Sequence, residues 1–270
     1  MNKKINALTI SYILFLIILF LSGSFSGILS RLIYILSGLI PFVLCLFLTR
    51  GELDGAKWRL LTVKKDNLKL ALPLFAPTVV SIILLSFVTS WLIFKLTGKE
   101  NHVNIGNSYV LAIINHALLP AIIEEALFRY LPIRLLSSHS RRAAVFVSAF
   151  FFALVHRNLF TIPYAFLAGV IFMAIDLATD SVIPSLLLHF INNSISVGLI
   201  FYEKNTAFAP TVYAILGILC FISILVIVKK RREYKKMLTL PFLKGEKMKF
   251  SFEMLIFAGL TLAIAIMNIL

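Results

Sequence analysis

The chain has 270 residues, of which 60% are hydrophobic and only 14% charged, and its formal net charge is +14. A soluble domain is about half apolar and a quarter charged, so this composition excludes an ordinary soluble enzyme and predicts a polytopic membrane protein. In such a protein the basic excess marks cytoplasmic loops rather than a nucleic-acid surface. No nucleic-acid partner is expected; the lipid bilayer is. Cys45 and Cys220 both fall in apolar runs, which implies no disulfide framework.

A span needs about 20 apolar residues. In chain order the apolar segments cover about 6–22, 30–49, 70–96, 108–134, 143–156, 159–179, 182–202, 210–228 and 250–270. The first reads as a retained span and not a cleaved signal peptide, although "LSGSFSG" follows it, because many spans come after. The fifth is short and begins beside the charged loop "SSHSRR". The fold class expected is all-α, a polytopic membrane helix bundle of about eight or nine transmembrane helices. It reads as one integral membrane domain: N-terminal spans over 1–107, a core over 108–200, and C-terminal spans with a basic loop over 201–270.

Orientation follows from the distribution of Lys and Arg. With the N-terminus inside, the inner loops hold Lys3, Lys4, Arg50, Lys57, Arg59, Lys64, Lys65, Lys69, Arg141 and Arg142, together with Lys229–Lys236, Lys244, Lys247 and Lys249. The outer loops hold little more than Arg31, Lys95, Lys99, Arg157 and Lys204. The asymmetry predicts a multi-pass protein of the cell membrane with a cytoplasmic N-terminus. The run "KKRREYKK" at 229–236 also suits anionic lipid, although the orientation signal explains it equally well.

Three short stretches put polar groups inside apolar segments: "EEALFR" at 124–129, "FALVH" at 152–156 and "HFINN" at 189–193. Charge in hydrocarbon is costly, so intramembrane ions point to function. Glu125 and Arg129 are four apart and share a helix face, which suits an ion pair. Glu124 is about 100° round the helix from Glu125. It is therefore left for chemistry, as a buried general base. Phe152 and His156 repeat the i, i+4 spacing, and so do His189 and Asn193, whose donors aimed at one point would suit an oxyanion. Counted from the nearest cytoplasmic helix end, Glu124, His189, Asn193 and His156 lie roughly 15, 12, 18 and 21 Å deep. That is a band, which tilt or a kink at Pro120 would have to close. His116 reads as structural, His102 and His139 as loop residues, and Asp176 as an interfacial or capping group near a span end.

These motifs, EExxxR, FxxxH and HxxxN in order on successive helices, resemble the CPBP family of intramembrane proteases (CAAX protease and bacteriocin-processing, or Abi). The segment 166–193, "FLAGVIFMAIDLATDSVIPSLLLHFINN", is also similar to the family's stretch between its second and third motifs. The resemblance covers roughly 108–200. It implies that Glu124, assisted by His156, activates a water, that His189 and Asn193 stabilise the oxyanion, and that Glu125, Arg129 and Phe152 support the site. Tyr130 stands where a glycine is common in the family, and Asp180 lies in a turn where it often has Gly.

The resemblance implies an endopeptidase acting on a membrane-associated peptide or membrane protein, with bacteriocin or pheromone maturation, or self-immunity, as its setting. Glutamate-dependent hydrolysis without a cofactor is preferred. There is no HExxH pair, but one Glu and two His would also suffice to hold zinc with a water in the fourth position. The alternative from another class is a non-catalytic immunity or scaffold protein that binds a peptide or a membrane partner. A proton-coupled transporter is disfavoured, because no inverted repeat is visible.

Overall fold

A computed structural model describes residues 2–50, 61–239 and 252–268. The loop cations Lys57, Arg59, Lys244, Lys247 and Lys249 lie outside the described residues. Among the described residues every regular element is helical. The helices are α1 (Asn2–Ser22), α2 (Gly27–Leu48), α3 (Lys65–Thr97), α4 (Tyr109–Leu136), α5 (Arg141–Leu154), α6 (Ile162–Thr179), α7 (Ile183–Phe201), α8 (Phe208–Lys229), α9 (Arg231–Thr239) and α10 (Phe252–Met267). All nine apolar segments are helices. Seven are long and apolar enough to cross a membrane, whereas α5 has 14 residues and α10 has 16. The protein is a multi-pass helical membrane bundle.

Local chemistry sets the helix ends. Ser140 caps α5 by accepting the Ala143 N–H at 3.1 Å, and Ser108 begins α4 in the same way. Gly98 closes α3 in the left-handed region, with φ +71°. Asp180 ends α6 at φ +52°, which accounts for a glycine being the usual residue at such a turn.

The site helices α4, α5, α6 and α7 form the centre, with α5 and α6 packed along their length and α7 against both α4 and α6. Helix α1 lies against α2 and the end of α4, α10 against α1 and α5, and α8 against α3. The short basic helix α9 turns back beneath α6 and buries Tyr234 and Met237, while Arg231, Arg232, Lys235 and Lys236 face outward. Gly169 is what lets α5 and α6 close. A Cβ built there would sit 2.7 Å from the Ala149 Cα, and backbone cannot give way as a side chain can. Gly169→Val is expected to lower stability by about 1–3 kcal/mol, the usual cost of overpacking. Thermal unfolding in detergent checks this, and an unchanged midpoint would refute it.

Helix α4 is not α-helical throughout. Residues Ile114–Leu118 and Ala126–Tyr130 are π turns, and the Leu119 and Leu131 N–H groups reach back five residues to the Ile114 and Ala126 carbonyls. Each π turn ends two residues before a proline, Pro120 or Pro132. Proline offers no N–H and its ring crowds the carbonyl four residues back, so a wider turn relieves the clash. Before Pro120, a residue that can kink its helix, the chain takes a π turn. The carbonyls that Pro132 leaves free need other donors in a membrane, and they find them. The Tyr12 hydroxyl of α1 donates to Leu127 O at 3.1 Å, and the Ser148 hydroxyl of α5 donates to Phe128 O.

Candidate active site

The second π turn carries the charged motif. Arg129 is wholly buried, and its Nε stands 3.4 Å from Oε2 of Glu125, which is 2% exposed. The guanidinium lies over the Phe152 ring at 4.3 Å and near the Phe172 ring at 5.5 Å. Its Nη1 donates to the Ser148 hydroxyl at 3.1 Å and reaches Phe128 O at 3.4 Å. A planar, weakly hydrated cation between aromatic faces is the form of positive charge best suited to such burial.

His189 of α7 joins the two glutamates. Its Nδ1 is 2.8 Å from Glu125 Oε1, and its Nε2 is 3.7 Å from Glu124 Oε2. The Glu124 side chain is 13% exposed against 2% for Glu125, so of the pair Glu124 is the one open to an incoming group. The Tyr34 ring of α2 stands within electrostatic reach of it. The two carboxylates thus differ in surroundings as their 100° separation suggested: one is locked to arginine and histidine, the other is half-buried beside the histidine, with Tyr34 near.

Phe152 connects the remaining motif. Its ring meets His156 edge-on at 5.1 Å and His189 edge-on at 5.7 Å. The His156 Nδ1 is 2.7 Å from Phe152 O. A carbonyl can only accept, so Nδ1 carries the proton, and in the neutral ring Nε2 is the lone-pair acceptor. Among the described residues no carboxylate pairs with His156; the histidine in direct contact with Glu124 is His189. Asn193 lies one turn beyond His189, half-buried, with its Oδ1 accepting from Asn192 Nδ2 at 3.3 Å. Glu124, Glu125, Arg129, Phe152, His156 and His189 thus form one chain of contacts, while among the described residues no hydrogen bond joins Asn193 to them.

Three partners escaped the sequence reading: Ser148, Phe172 and Ser185. A signal did exist for two of them, since Ser148 precedes Phe152 by four residues and Ser185 precedes His189 by four. Of the two roles expected of Asp176, interfacial or capping, the structure shows the second: it is fully buried and caps the start of α7, accepting the Ser185 N–H at 3.2 Å. Of the other histidines, His102 pairs with Glu100 at 3.5 Å and His139 bonds Ser138 at 3.0 Å, both in loops. His116 is exposed on the first π turn. A cavity of about 690 Å³ lies between loop 101–107 and the end of α7 and includes none of the motif residues. Among the described residues no three His, Cys, Asp or Glu side chains stand as a metal-holding group.

Residues 106–195 match the family model described as type II CAAX prenyl endopeptidase Rce1-like, which lies within the CPBP family. All three motifs fall inside that stretch. No curated protein and no solved structure matches the chain. The family match points to CAAX-type protease activity in a membrane.

Proposed function

We propose, from a CPBP-type core over residues 106–195, that the protein is an intramembrane endopeptidase of the glutamate-dependent kind. The observation that carries this reading is His189 held between two carboxylates of which only Glu124 is open. Glu124 takes a proton from a water, and the water oxygen bonds to the carbonyl carbon of the substrate peptide. His156, with Nε2 as acceptor, assists Glu124. His189 and Asn193 donate to the oxyanion that forms. As the oxyanion collapses, the C–N bond breaks and Glu124 returns the proton to the leaving amine, giving a carboxylic acid and an amine. Glu125 and Arg129 hold His189 in place, and Phe152 fixes the directions of both histidines.

The substrate on this reading is a membrane-associated peptide or the tail of a membrane protein, in bacteriocin or pheromone maturation or in self-immunity. No cofactor takes part. The N-terminus is cytoplasmic, which the Lys and Arg asymmetry supports.

The test is cleavage of a panel of lipidated and unlipidated peptides by the purified protein in detergent. His189→Ala should lower kcat by about 10²–10³-fold, the range for losing an oxyanion donor. Chelator should leave the wild type unchanged. Loss of activity on chelation with rescue by zinc would replace this mechanism with a metal-dependent one. Normal cutting by His189→Ala would overturn the site assignment, and no cutting by the wild type would turn the reading towards binding.

A further inference from the structure

One buried carboxyl has no part in the reaction just described. Asp176, in the last turn of α6, is fully enclosed. Its Oδ1 accepts the Ser185 N–H at 3.2 Å, and its Oδ2 accepts the Ser185 hydroxyl at 2.6 Å. Ser185 is the third residue of α7, in the turn whose N–H groups have no acceptor within the helix. The Asp176 backbone carbonyl meanwhile accepts the N–H groups of Asp180 and Ser181, the latter at 3.2 Å. One residue thereby clamps both sides of the turn between α6 and α7.

His189 follows Ser185 by four residues and so lies on the same face one turn on. A single cap bond leaves a helix free to roll about it. Two bonds from one carboxylate to the N–H and O–H of one residue fix both the roll and the height of the turn. Asp176 stands within electrostatic reach of Glu125 and Arg129, and the Ser185 hydroxyl reaches Glu125, so the clamp lies beside the ion pair.

We infer that Asp176 is a positioning residue for His189: through Ser185 it sets where the imidazole meets Glu124 and Glu125. Its effect on turnover rests on the endopeptidase reading above; its effect on the His189 ring does not. A carboxylate suits this role, because its two acceptors form a fork that meets an adjacent N–H and O–H together.

The experiment uses the full chain in detergent micelles with ¹⁵N-labelled histidine. The variants are Asp176→Ala, Asp176→Asn and Ser185→Ala, read by the His189 Nδ1 proton resonance, by kcat and KM per folded molecule, and by thermal unfolding. Asp176→Ala should shift or abolish the resonance and lower kcat by about 10–100-fold, the usual cost of removing a partner that orients a site group. KM should change by no more than about twofold, since no substrate contact is lost. Asp176→Asn keeps an oxygen for the Ser185 N–H and should recover most of both signals. A wild-type resonance in Asp176→Ala, with kcat per folded molecule unchanged, overturns the inference. If Asp176→Ala does not fold, Ser185→Ala decides, because it removes the hydroxyl that donates to Asp176 at 2.6 Å and contacts Val182 O at 3.0 Å while keeping the N–H bond to Asp176: a displaced resonance supports the inference and a wild-type one overturns it. Should the wild type cut no peptide, the endopeptidase reading falls while the resonance still tests the clamp.

Discussion

Glu124→Gln should leave a folded protein that no longer cuts. The substitution keeps size and hydrogen-bonding capacity, and at 13% exposure the side chain is not sealed in the core, so thermal stability should stay close to that of the wild type. What disappears is the proton acceptor. Positioned general bases contribute about 10²–10⁴-fold, and a loss in kcat of that size is expected, with KM little changed. Glu125→Gln should behave differently. It weakens bonds to both Arg129 and His189, so it should lower stability and activity together. Cleavage kinetics and unfolding midpoints on the same preparations check the contrast. Glu124→Gln cutting within tenfold of the wild type would remove Glu124 from the mechanism.

Arg129→Ala should be the most destabilising single change in the core. The side chain is wholly buried, and its loss strands the Glu125 carboxylate in an apolar interior. Breaking a buried ion pair by deleting one partner costs about 3–5 kcal/mol. It also removes the cation from the Phe152 and Phe172 rings and the donor from Ser148. Arg129→Lys keeps the charge but cannot reach Glu125 and Ser148 at once as a fork, so it should recover only part of the loss. The double variant Arg129→Met with Glu125→Gln should be more stable than Arg129→Ala, because it leaves no unpaired charge. A double variant less stable than Arg129→Ala would show that the cost lies in packing and not in the stranded carboxylate. Thermal and denaturant unfolding in micelles gives the answer.

Much of this site could be read from spacing, and the reason is geometric. Glu125 with Arg129, and Phe152 with His156, are neighbours on one helix, and i, i+4 spacing reports such neighbours directly. The apolar segments likewise declare themselves by length, including the short α5. What spacing does not report is the rotation of one helix against another. That His189 and not His156 meets the glutamates depends on how α7 and α5 are turned about their axes. The same holds for Asp176: its place near a span end suggested an interfacial or capping group, but which helix it caps depends on how α6 packs against α7. The π turns stayed hidden because 3.6-residue periodicity was assumed along all of α4, and only Pro120 and Pro132 hinted otherwise. Tyr12 shows the limit from another side: it lies more than a hundred residues from Leu127 and outside the matched stretch, yet its hydroxyl completes the backbone beside Arg129.

A π turn is an α-helix that has taken in one extra residue, and everything beyond it is rotated by about 100° relative to an uninterrupted helix. Helix α4 has two such insertions, one before Glu124 and one after it. The glutamates therefore sit on a segment whose heading is set separately from both flanks: the upstream turns face α7, and the downstream turn faces α5. The second π turn overlaps the EExxxR motif itself, so the register that brings Arg129 to Glu125 is the register of a π turn and not of an α-helix.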